Sequence, residues 1–381
     1  MWALLAVVLI LVAMLTIDVF GGIRARARHN SFDWKAVAPV SDFTVLVPLY
    51  GNVKYLENAA YLGRCSGDVV LCTTSGETKE FYAELETIAA QYGLRIYRSP
   101  HAPVTTTKKR RTGGTIRDRI VRDALNQLHK DGTLGTYTVC IDADTTTEQP
   151  LNMLVGALQQ SKADFASVQL VPQTRGSMLV QLQRHEYRLS MKMRWLVPWL
   201  LSGACHAGTS EAFRAIMNKH SLFFQGNDVE TGLLGDLLGY KATHIPFSVY
   251  TNIPSSFRSW WRQRIAWSGG EFRLFIINCR YVFKHPFLWI YGGLIVILLL
   301  AARWWFLLNP GWVILGTFLL YAAIITYIHW PNRNWWLLLM PFYSLVTNLI
   351  MPAIGVVWYF VMAIPERNFG IIRPRRKEAI V

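Results

Sequence analysis

Two carboxylates one residue apart, Asp142 and Asp144, close the apolar run Tyr137-Thr-Val-Cys-Ile-Asp-Ala-Asp144. Read as a buried strand, this run places both acids on one face, because strand side chains repeat with period two. Ligands in open α/β sheets bind outside the carboxyl ends of the strands. Two acids there repel each other unless a divalent cation neutralises them, and oxygen ligands suit Mg²⁺ or Mn²⁺. A third acid, Asp228, lies in Gly226-Asn-Asp-Val-Glu-Thr-Gly232, where a loop enters a helix expected over 229–239. The plain role of such a residue is an N-cap. A carboxylate in the same place can instead take the proton from an attacking hydroxyl.

Two further segments carry chemistry. Residues 201–214 are small and glycine-rich and then helical, which lets backbone approach a ligand closely, although turns have the same composition. Ser259-Trp-Trp-Arg-Gln-Arg-Ile-Ala-Trp267 reads as an amphipathic helix with clustered Trp and Arg. That mixture suits a membrane interface. It equally suits stacking on a sugar ring and neutralising phosphate oxygens.

These residues need a scaffold, and the middle of the chain reads as one soluble α/β unit over 30–284. Strands are expected at 43–48, 68–72, 94–97, 137–144, 165–171 and 242–250, with helices at 78–92 and 116–129. Strands alternating with helices imply parallel βαβ units. A Thr- and Lys/Arg-rich loop over 104–115 precedes the second helix.

The 381 residues are 52% apolar, and the apolar residues are unevenly spread. Residues 2–20 form a nearly uncharged run long enough for one membrane helix. Its positive charges, Arg24, Arg26 and Arg28, follow the run, which reads as an uncleaved anchor whose end and following domain are cytoplasmic. Further apolar stretches lie near 286–308, 311–329 and 335–364. Three crossings would put the carboxyl tail outside, yet Arg373-Pro-Arg-Arg-Lys377 is strongly basic. The charge rule is preferred, with Pro352 and Gly355 breaking the last stretch into a re-entrant or interfacial piece and a span. The expected division is therefore an anchor over 1–22, the domain over 30–284 with interfacial helices near 255–284, membrane helices over 285–365, and a basic tail over 366–381.

The formal charge of +15 sits beside the apolar segments and in the tail, which matches lipid headgroups better than nucleic acid. No zinc-finger or RNA-recognition signature accompanies it. Five widely spaced cysteines with no CxxC pair are expected to be reduced thiols facing the cytosol.

Taken in order, the segments Val45-Leu-Val-Pro-Leu-Tyr50, Cys140-Ile-Asp-Ala-Asp144, Gln183-Arg-His-Glu-Tyr187, Ser202-Gly203, Gly226-Asn-Asp-Val-Glu230 and the stretch ending at Trp267 resemble the membrane-embedded family-2 glycosyltransferases. That group contains the cellulose, chitin and hyaluronan synthases. The resemblance implies an α/β GT-A-type, Rossmann-like cytosolic domain with α-helical transmembrane segments. It implies inverting transfer from a nucleotide-sugar, a UDP-hexose or UDP-N-acetylhexosamine, to a growing poly- or oligosaccharide at the plasma membrane. Asp142 and Asp144 then match the donor and metal acids, with Mg²⁺ or Mn²⁺ as cofactor, and Pro48 and Tyr50 flank the donor. Asp228 matches the general base, and Gln263 and Trp267 match the ends of a QxxRW motif beside the acceptor.

The chain departs from that pattern in places. Ala266 replaces the motif's arginine, so either Arg264 or Arg262 is expected to meet the diphosphate, or that contact is absent. Asn227 stands where Glu often precedes the base, and Cys72-Thr-Thr-Ser lacks the Asp often set against the nucleotide base. No counterpart of a gating loop is evident. Two other readings stay open: a non-processive transferase acting on a polyprenyl phosphate or other lipid acceptor, and a decayed transferase serving as transporter or scaffold.

Overall fold

The computed structural model describes residues 21–100, 115–285, 308, 310–330 and 334–373. The expected anchor over 2–20, most of the 104–115 loop, the apolar stretch near 286–308 and the basic run after Arg373 lie outside these residues.

Eight strands form one sheet: β1 (Phe43–Pro48), β2 (Asp68–Thr74), β3 (Arg95–Ser99), β4 (Tyr137–Ile141), β5 (Thr146–Thr147), β6 (Phe165–Pro172), β7 (Cys205–Thr209) and β8 (Ala242–Thr251). Their order is β3-β2-β1-β4-β7-β6-β8-β5. The first four are parallel, as the alternating pattern implies. β7 runs antiparallel to both β4 and β6, which corrects the all-parallel expectation. Its sequence, Cys-His-Ala-Gly-Thr, lacks the β-branched and aromatic residues that mark a strand. Small side chains are required here: a Cβ on Gly208 would stand 2.9 Å from the Asp164 carbonyl.

Every residue of β1 is buried, because helices cover both faces of the sheet. Val45 and Val47 pack with α1 (Lys79–Tyr92) and α3 (Leu151–Ser161) on one side. Leu46 packs with α2 (Ile116–Lys130) and α5 (Ser210–Lys219) on the other. Local signals set the helix ends. Thr78 accepts from the Phe81 N–H at the start of α1, and Gly93 ends it at φ +67°. The expected helices at 78–92 and 116–129 are these elements.

Beyond the sheet lie α4 (Met178–Met193), α6 (Asn227–Leu237), α7 (Phe257–Phe272), α8 (Pro310–Ile328) and α9 (Met351–Glu366). Trp335–Glu366 is one continuous helical run and, among the described residues, the one helix long and apolar enough to cross a membrane. Pro352 and Gly355 do not break it, contrary to expectation. A wide turn over Val346–Ile350 leads directly into Pro352, so the run continues past a residue that has no N–H to give it. Gly355 is a crossing point: a Cβ there would lie 2.7 Å from the Gly269 nitrogen, so α9 and α7 meet backbone to backbone.

The run stays on the domain along its length. Asn334, just before it, bonds His185 of α4 at 3.1 Å, and Tyr343 accepts from the Trp260 indole at 3.0 Å. After α9 the chain turns back. Ile372 is 1% exposed within the core cluster of Leu46 and Val70, and its N–H and C=O bond Asn278 and Tyr281 at 2.8 and 3.0 Å. All five cysteines are free thiols.

Candidate active site

The sheet brings the ends of β1, β2 and β4 and the start of β7 to one edge. β4 ends at Ile141, so Asp142 and Asp144 lie in a turn beyond the strand rather than on one strand face. The turn is tied down by backbone. Asp142 N–H bonds the Ala204 carbonyl at 2.9 Å, and Thr145 N–H bonds the Asp142 carbonyl at 3.1 Å. Buried Asn58 completes the clasp, its amide donating to the carbonyls of Asp142 (3.0 Å) and Thr145.

Asp142 is paired. Arg117, in the first turn of α2, places Nε 3.1 Å and Nη2 2.9 Å from Asp142 Oδ1, and Nη2 also donates to the Gly203 carbonyl. Burial opposes the Arg117 charge, but Asp142 and Asp118 outweigh it and raise the guanidinium above its ordinary value. Among the described residues, Asp144 takes the Thr145 hydroxyl, 3.1 Å from its Oδ1. Burial, and then the charge of Asp142, push its carboxyl above the ordinary range. Tyr50 stands in the field of Arg117, Asp118 and Asp142, and burial raises its phenol. Pro48 pairs with Cys72 at the last rung of β1, which aims Leu49 and Tyr50 off the sheet edge.

Asp228 is not the N-cap. Gly226, at φ +86°, occupies that position, no side chain caps the helix, and Asp228 falls inside the first turn of α6. Its Oδ2 lies 3.6 Å from where a Cβ of Gly203 would stand. Gly203 therefore separates the two acids: its carbonyl meets the arginine of Asp142, and its bare Cα leaves room for Asp228. Behind Asp228 a buried anchor fixes the helix. Glu230 takes Arg273 Nη1 at 2.5 Å and the Ser221 N–H at 2.7 Å. Burial would raise the Glu230 carboxyl, but Arg273 and His220 outweigh it and hold it below its ordinary value.

The Gln263–Trp267 segment lies on α7. Trp267 is 37% exposed and stacks over the Arg264 guanidinium at 4.2 Å. Arg264, expected to meet a diphosphate, is held by protein groups on one side. The side chain is buried, its Nη2 is ion-paired with Glu186 of α4, and that carboxylate also accepts from Tyr343 at 2.7 Å. Gln263 Oε1 is buried without a hydrogen-bond partner among the described residues. Tyr187 links the two regions, because Arg264, Glu186 and Asp228 all act on its phenol, which burial pushes up to about 12.

Arg117 and Asn58 were absent from the sequence reading. Arg117 lies 25 residues before its acid, among other basic residues, and only its place at a helix start distinguishes it. Among the described residues, no group of three or more His, Cys, Asp or Glu could by itself hold a metal ion. A carboxylate pair in which Asp144 has no salt-bridge partner among the described residues still fits a hard ion that takes its other ligands from substrate or water.

Residues 137–364, more than half of the chain, match the family model described as Glycosyl transferase family group 2. A solved mannosyltransferase, PcManGT from Pyrobaculum calidifontis in complex with GDP-Man and Mn²⁺, has a similar fold with a TM-score of 0.59. That match is at 15% identity and covers 93% of this chain and 98% of that one. S. aureus TarS gives a TM-score of 0.38 at 13% identity, over 62% of this chain and 44% of that one. Glucosyl-3-phosphoglycerate synthase from Mycobacterium tuberculosis gives 0.37 at 14%, over 59% and 77%. No curated protein sequence matches the chain. The mixed sheet with helices on both faces is of the GT-A, Rossmann-like kind.

Proposed function

Because the chain belongs to the glycosyl transferase family group 2, we propose that it transfers a sugar, with inversion, from a nucleotide-sugar to a hydroxyl of a saccharide or lipid-linked acceptor at the cytoplasmic face of a membrane. The observation that carries this reading is the placement of Asp142 and Asp228 on either side of Gly203. One acid, held by Arg117, faces the donor, and the other faces the acceptor. Asp228 takes the acceptor proton as the acceptor oxygen bonds to the anomeric carbon and the bond from that carbon to the nucleoside diphosphate breaks. Asp144 and Asp142 would hold Mg²⁺ or Mn²⁺, which when bound neutralises the charge of the leaving diphosphate. Tyr50 and Pro48 border the donor. Trp267, half-open and stiffened by Arg264 beneath it, offers its indole to the acceptor ring beside Gln263. The solved mannosyltransferase with GDP-Man and Mn²⁺ is consistent with such a donor and ion.

Asp228→Asn tests the assignment. Loss of a general base slows transfer by ~10²–10⁴-fold. Donor binding should be kept, because Asp228 faces the acceptor side. Turnover equal to the parent would rule out Asp228 as base.

The membrane reading is ours as well. A span would carry its far end about 30 Å from the domain. Trp335–Glu366, roughly 48 Å long at 1.5 Å per residue, instead touches the domain at Asn334, Tyr343 and Gly355, and the chain just past it docks at Ile372. Its outer face exposes Trp335, Phe342, Val357, Val361 and Ile364. We read it as lying along the membrane surface, with the expected anchor and the apolar stretches of the sequence near 286–308 and 311–329 as the crossings. That count returns the basic tail to the domain's side, in accord with the charge rule.

A further inference from the structure

Gln263, Trp267 and Glu271 stand four residues apart along α7, so they share one face of the helix over about 12 Å. Trp267 is the middle of that strip. Arg264 covers one side of its indole at 4.2 Å. Tyr187, whose phenol stands in the field of Asp228, lies 6.5 Å from it.

Glu271 carries the strip to the start of α6. Gly270, the residue before it, meets that start backbone to backbone. A Cβ on Gly270 would lie 2.5 Å from the Gln225 carbonyl and 3.0 Å from the Gly226 nitrogen. Glu271 is exposed, and among the described residues its carboxyl has no hydrogen-bond or ion-pair partner. Desolvation by the protein around it, and then the charge of Glu186, push that carboxyl up to about 7, while Arg264 draws it down. A carboxyl that solvent reaches and protein still desolvates lines a recess.

An indole with an amide before it and a carboxyl after it suits a sugar. The apolar face of the ring stacks on the aromatic, and the rim hydroxyls bond the side chains on either hand. A phosphate fits this recess poorly. Glu271 and Glu186 bring two acids to it, and Arg264 is already ion-paired with Glu186. A phosphate placed beside them meets like charge.

We propose that Glu271 selects the acceptor: it bonds the hydroxyls of a neutral saccharide lying along α7 and turns away a lipid phosphate. This rests on the transferase reading given above and deepens it, since it makes the acceptor a sugar hydroxyl and not a polyprenyl phosphate.

The test is equilibrium binding to the purified full-length protein, in a detergent with neither a sugar nor a phosphate headgroup. The probes are cellotetraose, chitotetraose, mannotetraose and a polyprenyl monophosphate. At least one tetrasaccharide should bind ~10-fold or more tightly than the polyprenyl phosphate. Glu271→Ala should lose ~10-fold of that saccharide affinity, whereas Glu271→Gln, which keeps a hydrogen-bonding oxygen, should lose less than ~3-fold. In both variants the polyprenyl phosphate should bind several-fold more tightly, because a like charge is gone. A merely structural role would weaken both ligands together. That result overturns the proposal, as does saccharide affinity unchanged in Glu271→Ala. So does a parent that binds no tetrasaccharide more tightly than the polyprenyl phosphate. Hydrolysis of UDP-glucose, UDP-N-acetylglucosamine or GDP-mannose by the parent tests the transferase reading by itself, which tells its failure apart from the failure of this one.

Discussion

Arg117 grips Asp142 by one oxygen, Nε at 3.1 Å and Nη2 at 2.9 Å from Oδ1, and the same Nη2 bonds the Gly203 carbonyl. The arginine thus joins the end of β4 to the start of β7. Arg117→Gln keeps a donor but removes the fork and the charge, leaving Asp142 and Asp118 without their cation. Donor KM should rise by ~10-fold or more, which corresponds to about 1.4 kcal/mol. Steady-state kinetics at saturating acceptor measure it, and an unchanged KM would show that Asp142 needs no holder.

If Asp144 holds the proposed divalent cation, the binding can be read from stability alone. Its carboxyl is raised in the folded state, so its stabilising contribution is present below the unfolded value of about 3.9 and is lost as pH rises through the folded value. At neutral pH the charged group is therefore a cost that a divalent cation relieves. Mn²⁺ should raise the melting temperature of the parent at pH 7.5, less so as pH falls through that raised value. Asp144→Asn should be at least as stable as the metal-free parent and show no Mn²⁺ response. A full response in the variant would place the ion elsewhere.

Glu230 should prove structural although it lies two residues from the proposed base. Glu230→Gln leaves Arg273 charged and fully buried, a change that typically costs ~3–5 kcal/mol. Because the folded carboxyl is held below its ordinary value, its stabilisation is present above the unfolded value of about 4.3 and lost as pH falls through the folded one. Denaturant unfolding should show the parent losing its advantage over the variant in that acid range. Equal stability of the two proteins at pH 7 would contradict the assignment.

Topology is accessible to an impermeant thiol reagent applied to intact cells. Gly311→Cys, at the start of α8, should be labelled, whereas Thr115→Cys and Asn368→Cys should not. Labelling at 368 would return Trp335–Glu366 to the status of a span.

Much of the scaffold was legible because burial on both faces leaves its mark in composition: β1 runs from Phe43 to Pro48, as its apolar sequence implies. β7 was hidden because it is built to let neighbours approach, so its residues resemble a loop. Asp142 and Asp144 were found for an imperfect reason, since a turn held by Asn58 presents them and strand alternation does not. Arg117 carries no mark in the sequence because it lies outside the motif that contains Arg264. Nothing local in the sequence shows that Glu186 balances one and Asp142 engages the other. Length and apolarity describe a surface-lying helix and a span alike, so the sequence alone does not show that the segment packs on the domain through Tyr343 and Gly355.

The docking of Ile372 in the core beneath β1 carries a consequence for biosynthesis. The strands and helices through residue 285 emerge from the ribosome well before the residue that completes their packing. About 90 residues separate the two, which at roughly 5–20 residues per second is a wait on the order of ten seconds. During that interval the nascent domain has an open seam beside Tyr281, which shuts only once the segment after α9 has been made. Ribosomes that stall or terminate anywhere short of residue 372 would release a chain with the candidate site already encoded but its core unsealed.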